Sequence, residues 1–209
     1  MAEPTIEAGT GPVALRTSPL AHLEERMRAA AVTGARGVTL TERPFATMVN
    51  LRVDPASEGA DGIEKTLGAP LPRRCGQTTA SAAHTLFWLG PDEWLVLSQA
   101  DGTAVAAELR QALGAAPGSV VDVSAQRATL ELSGPAARQV LEKGCPLDLH
   151  PRAFGPGRQV STTVGPVAVL LWQTDDSPTY RLLPRSSFAD YLARWLIDAM
   201  SEYRGPETP

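Results

Sequence analysis

Three histidines, two cysteines and one glycine-rich run carry most of the chemistry this chain could offer. Group transfer needs a nucleophile held against a base, with a third group to orient the base. His22, His84 and His150 stand in no such constellation. His22 falls in a predicted helix with Glu25 one turn on, but Arg26 occupies the next position on that face, where a second metal ligand would sit. Cys75 and Cys145, 70 positions apart, leave a disulfide open, although two reduced, mostly buried thiols are the favoured reading. Gly155-Pro156-Gly157-Arg158 has the glycines of a phosphate loop without its Lys-Ser/Thr partner, and its proline removes a donor. It reads as a turn into a strand over 159–163. Arg152 and Arg158 flank Phe154 in the best candidate for a protruding contact loop, because arginine and aromatic side chains are enriched at interface hot spots. Arg127 reads as a solvated turn arginine. Asp122, two residues before Ser124, suits a local Asx-type hydrogen bond. No catalytic, cofactor-binding or metal residue is assigned to the chain.

The elements that would position these residues are clearer. Residues 120–149 read as a strand, a polar turn, a second strand, a helix and a proline-marked exit. Ser133 and Gly134 stand where an N-cap belongs, Pro135 fits the first helical position, and Gly144 suits a left-handed helix end before Pro146. Ser18-Pro19 opens an earlier helix carrying Leu20, Leu23 and Met27. The alternation Val49-Asn50-Leu51-Arg52-Val53 marks a half-buried strand. Residues 54–62 read as loop, 63–67 as one or two helical turns, and 68–76 as an exposed connection.

One internal repeat stands out. Leu86-Phe87-Trp88, a Gly-Pro-Asp-Glu turn, Trp94 to Ser98 and a helix from about 103 to 113 are echoed 84 residues later by Leu170-Leu171-Trp172. There an Asp-Asp-Ser-Pro turn, Tyr180 to Pro184 and a helix from about 187 to 200 follow. That last helix places Phe188, Tyr191, Leu192, Trp195, Leu196 and Ala199 on one wide apolar face. The organisation expected is a flexible arm over 1–17, one bilobed domain over 18–203 and a frayed tail over 204–209.

The 209 residues are 43% hydrophobic and 20% charged, ordinary for a globular α+β protein with one good core. A net charge of −4 argues against nucleic-acid or anionic-membrane surfaces. No apolar run is long enough to span a membrane and no export leader is evident, so a cytoplasmic protein is expected. Arginine outnumbers lysine 17 to 2, which fits either partner contacts or, the favoured account, codon usage in a GC-rich genome.

Asp122-Val123-Ser124, a strand, then Ser133-Gly134-Pro135-Ala136-Ala137 and a helix resemble the aminomethyltransferase family, the folate-binding T-protein of glycine cleavage and its relatives. With Cys145-Pro146-Leu147-Asp148-Leu149 and the upstream Leu89 to Leu95, the chain is more similar to the gamma subunit of heterotetrameric sarcosine oxidase. The resemblance spans roughly residues 15–200. It implies a T-protein-like fold of paired ferredoxin-like β/α halves with antiparallel sheets. It also implies a non-catalytic, structural gamma subunit in a complex that oxidatively demethylates sarcosine. The products would be glycine, hydrogen peroxide and formaldehyde or methylene-tetrahydrofolate. The partners implied are alpha, beta and delta subunits, with FAD, FMN, NAD and tetrahydrofolate on the larger subunits and zinc on delta. A stand-alone tetrahydrofolate-binding one-carbon transferase is the alternative, as is a gamma subunit serving another N-methyl amino acid oxidase or dehydrogenase.

Overall fold

The computed structural model describes residues 16–205. Most of the expected N-terminal arm and the end of the tail lie outside them. Ten strands and five helices follow one another as α1 (Glu24–Ala29), β1 (Thr39–Glu42), β2 (Thr47–Val53), α2 (Glu58–Leu67), β3 (Thr78–Ala80), β4 (His84–Gly90) and β5 (Glu93–Ser98). Then come α3 (Gly102–Leu113), β6 (Gly118–Asp122), β7 (Leu130–Ser133), α4 (Ala137–Glu142), β8 (Gln159–Val164), β9 (Val167–Asp175), β10 (Thr179–Pro184) and α5 (Ser186–Met200).

Two five-stranded antiparallel sheets result, in the orders β6-β2-β5-β4-β3 and β1-β7-β10-β9-β8. The orders match position for position, with α2 and α3 of the first half corresponding to α4 and α5 of the second. The internal repeat is therefore topological as well as sequential: β4, β5 and α3 correspond to β9, β10 and α5. One strand is exchanged. β6 completes the first sheet from the C-terminal side of α3, whereas the second sheet is completed by β1, which precedes the first half.

Period-two alternation sorts each strand's side chains between two cores. Val49, Leu51 and Val53 of β2 join Trp94, Val96 and the helix residues Ile63, Leu67, Leu109 and Leu113 in one core. Leu130, Leu132, Leu171 and Leu182 pack with Leu192 and Leu196 of α5 in a second, larger one. The opposite faces of both sheets meet in a third cluster, where Met48, Phe87, Leu95 and Leu97 face Leu170 and Leu183. Phe87 stands edge-on to Trp172 there, with ring centroids 5.2 Å apart. Helices cover the outside and the sheets face each other inside.

Several local expectations are revised. Residues 58–62 are helical: Ser57 accepts from the Ala60 N–H as N-cap, and Gly59 and Gly62 are where α2 runs against α3. A Cβ at Gly62 would stand 2.6 Å from the Ala112 carbonyl oxygen, so the glycines that lower helix propensity are needed for helix contact. Ser133 caps nothing. It ends β7, and its hydroxyl pairs with that of Thr179 at 2.9 Å. Gly134 has φ 121 and passes so close to the Gly37 carbonyl that a Cβ would lie 2.5 Å from it. Gly144 is not left-handed; it is small because the Trp195 ring lies where its Cβ would be. Ser18 caps no helix either, and donates to Glu42 at 2.5 Å instead. In the 68–76 connection, Leu71 is buried and the Pro72 carbonyl accepts from the indole of Trp94 at 2.8 Å.

Candidate functional site

The chain crosses between the two sheets twice, at residues 43–46 after β1 and at 123–129 after β6. The polar turn between β6 and β7 is thus a crossover and not a hairpin. The two crossovers lie side by side, joined to the start of α5, where Ser186 donates its N–H to the Gln126 carbonyl and its hydroxyl to that of Ala125, both at 2.8 Å.

Asp122 is committed locally. Its Oδ1 accepts from the Ser124 N–H at 2.9 Å and from the Ser124 hydroxyl at 2.5 Å, and these bonds hold its carboxyl below the usual range. Ser124 in turn accepts from the Met48 N–H at 3.0 Å. This is the Asx-type arrangement expected from the sequence, and it engages Oδ1 while Asp122 itself stays exposed.

Arg127 is not the solvated turn arginine expected. It is partly buried, its Nη1 donates to the Leu183 carbonyl at 2.9 Å, and its backbone bridges that of Arg185. Burial, and then the charge of Arg185, push its guanidinium below the ordinary arginine value. Nearby, Glu131 on β7 takes Arg43 at 2.6 Å and Arg181 at 3.0 Å, and Arg181 lies 5.1 Å from the Trp172 ring centroid. Burial alone would raise Glu131, but the hydrogen bonds and charges of the two arginines hold it below the usual carboxylate range. Phe45, in the first crossover, has φ 61 and is 51% exposed. Sequence reasoning missed it, because Arg43-Pro44-Phe45-Ala46 contains no glycine or asparagine to announce a left-handed residue.

The remaining candidates stay apart. His22 Nε2 meets Asp190 Oδ1 at 2.7 Å on the surface, His84 belongs to β4, and His150 Nδ1 accepts from the Arg152 N–H at 3.2 Å. Cys75 is exposed and Cys145 buried, both free, which corrects the expectation of two mostly buried thiols. Among the described residues no group of three or more His, Cys, Asp or Glu could hold a metal ion. Gly155 to Arg158 is a turn into β8: Arg158 donates to the Gly155 carbonyl at 3.1 Å, with Gly157 at φ 74. Phe154 is not an exposed anchor. It is 6% exposed within the larger core, so of the three candidate contact residues Arg152 and Arg158 reach the surface and Phe154 does not. Its burial follows from the turn at His150, whose carbonyl accepts from the Phe154 N–H at 2.9 Å and folds the ring inward.

A sarcosine oxidase gamma subunit family model matches residues 49–202. The sarcosine oxidase subunit gamma of an Arthrobacter species is 47% identical over 193 residues, covering 92% of this chain and 93% of that one. The chain belongs to the sarcosine oxidase gamma subunit family. Its counterpart from Corynebacterium sp. strain U-96 is 45% identical, with 92% and 94% of the two chains covered. A structure of heterotetrameric sarcosine oxidase from that strain superposes with a TM-score of 0.89 at 44% identity, over 93% of this chain and 100% of the other. The fold is also that of the glycine cleavage aminomethyltransferase T from Bartonella henselae, at TM-score 0.62 and 16% identity, over 91% of this chain and 62% of that one. The family therefore shares the α+β, paired-half architecture expected from the motifs. No described helix is long and apolar enough to cross a membrane.

Proposed function

We propose that this chain is the non-catalytic gamma subunit of a heterotetrameric sarcosine oxidase. In that assembly it packs against alpha, beta and delta subunits in the cytoplasm and supports their flavin-bearing core. The complex oxidises the N-methyl group of sarcosine to glycine and formaldehyde, or methylene-tetrahydrofolate when folate is present, and reduces dioxygen to hydrogen peroxide. FAD, FMN, NAD and the folate site lie on the larger subunits and zinc on delta, leaving this chain without a cofactor of its own. The observation that carries the reading is the near full-length likeness to curated gamma subunits, at 45–47% identity.

The experiment is a pull-down of the tagged native chain from its source cells, scanned for flavin absorbance and assayed for sarcosine-dependent peroxide. Yellow co-eluting subunits with that activity are expected. A colourless lone chain that retains tetrahydrofolate would overturn the reading in favour of a one-carbon transferase. A yellow complex that oxidises a different N-methyl amino acid would keep the subunit role and reassign the substrate.

A further inference from the structure

Two hollows share one arginine. Arg127 lines a hollow of about 310 Å³ beside Phe45 and a second of about 560 Å³ rimmed by Arg185 and Phe188. Ala168 and Leu170 of β9 and Thr163 of β8 also line the larger one, which has no Asp or Glu around it. Among the described residues, Arg127 and Arg185 take part in no salt bridge, although the chain carries a net charge of −4. Phe45, Phe188 and Tyr191 are 51%, 52% and 50% exposed, and they are the described large aromatic side chains left most open. The expected apolar stripe of α5 is thus split. Leu192, Leu196 and Ala199 enter the core, while Phe188 and Tyr191, one turn apart, face outward.

Arginine and aromatic side chains beside an apolar floor are the composition of an interface hot spot. An arginine pair with its own backbone carbonyl partner but no carboxylate is complementary to an anion supplied from elsewhere. Phe45, left-handed and half-exposed, stands at the same junction with the Arg16 guanidinium 5.4 Å from its ring centroid. We propose that this face docks a segment of a partner subunit, with a carboxylate seated between Arg127 and Arg185 and an apolar side chain on Ala168, Leu170 and Phe188. The proposal deepens the gamma-subunit reading and rests on it.

The test uses the full chain co-expressed with its partner subunits. Arg185→Glu and Phe188→Ser are compared with wild type and with Lys65→Glu on α2, after melting each chain alone to establish folding. Both face variants should weaken assembly at least tenfold, the Arg185→Glu defect shrinking as salt is raised, while Lys65→Glu assembles as wild type does. A photo-crosslinking phenylalanine analogue at position 188 of the assembled complex should capture a partner peptide with Asp or Glu beside an apolar residue. Unchanged assembly of both variants, or capture of a peptide lacking a carboxylate, would overturn the docking face while leaving the subunit reading intact. Failure of the wild-type chain to join any flavin-bearing partner would overturn both.

Discussion

Replacing Gly62 by alanine sets local propensity against packing, and the geometry decides the sign. In an isolated helix the change is worth about 1 kcal/mol of stability, because glycine gives up more backbone entropy and packs nothing. Here the new Cβ would stand 2.6 Å from the Ala112 carbonyl oxygen of α3 and 3.5 Å from its carbon. The obstacle is backbone, so no rotamer change relieves it. Helix α2 would have to back away by roughly 0.8 Å or more to restore ordinary contact, loosening Ile63 and Leu67 in the core beneath. Overpacking of this kind costs about 1–3 kcal/mol, which offsets or exceeds the propensity gain. The expected result is a net loss of up to about 2 kcal/mol, or a fall of up to about 8 °C in Tm for a chain of this size. Urea unfolding should show a lower midpoint with an unchanged slope. Thr66→Ala is the control on the same helix: it is exposed and its hydroxyl merely back-bonds to the Gly62 carbonyl at 3.0 Å, so it should gain a few tenths of a kcal/mol. If Gly62→Ala raises Tm alongside Thr66→Ala, propensity governs the site and the close α2–α3 approach is wrong.

Glu131→Gln should cost about 1–2 kcal/mol near neutral pH, because it removes the charge that Arg43 and Arg181 share. A carboxylate held below its ordinary value stabilises above its unfolded pKa, about 4.3, and loses that contribution as pH falls through the folded value. The gap between wild type and variant in urea melts should therefore narrow well below about pH 4, and a gap of constant size would refute the ion cluster. Arg194 and then His22 hold Asp190 at a pKa of about 2, so its contribution is present above the unfolded value and fades toward pH 2. In Arg194→Gln the Asp190 midpoint should move up toward the ordinary range by NMR titration; an unmoved midpoint would mean that Arg194 is not the cause. Phe45→Gly should leave the Tm of the isolated chain unchanged or slightly higher, since relief of the left-handed strain offsets the entropy glycine adds to the unfolded chain. A drop of more than about 3 °C would mean that Phe45 is held for internal packing.

Regular patterns were legible in the sequence. The alternation over Val49 to Val53 became β2, the repeat spaced by 84 residues became two matching hairpin–helix units, and α3 and α5 lie within a residue of their expected starts. Features set by distant neighbours were not legible. Residues 39–42 pair with 130–133, nearly a hundred positions away, and nothing in either segment names the other. The glycines at 59 and 62 look like loop chemistry until α3 is placed against them. Ser133-Gly134-Pro135 has the residue types of a helix cap, but it is used to end β7 and let Gly37 approach. Of the site, the local bond of Asp122 to Ser124 was foreseen, because an Asx turn is decided within three residues. The company of Arg127 was not, since Arg185 reaches it only through a bridge between β10 and the second crossover. The role as a subunit came from family motifs and not from chemistry.

The exchanged strand gives these observations a common cause. Because β1 completes the second sheet before the chain builds the first, two crossovers must run between the halves, and they run side by side. Crossover backbone lies outside both ladders, so its groups are satisfied by one local bond, Asp122 with Ser124, and by bonds to neighbouring elements: Ser124 with Met48, and Gln126 and Ala125 with Ser186. Those bonds fix Phe45, Arg127 and Arg185 on one surface that neither half presents alone. A partner that reads this surface reads the correctly joined pair of halves. Docking there would select the folded topology itself, which suits a chain that works as one subunit of a complex.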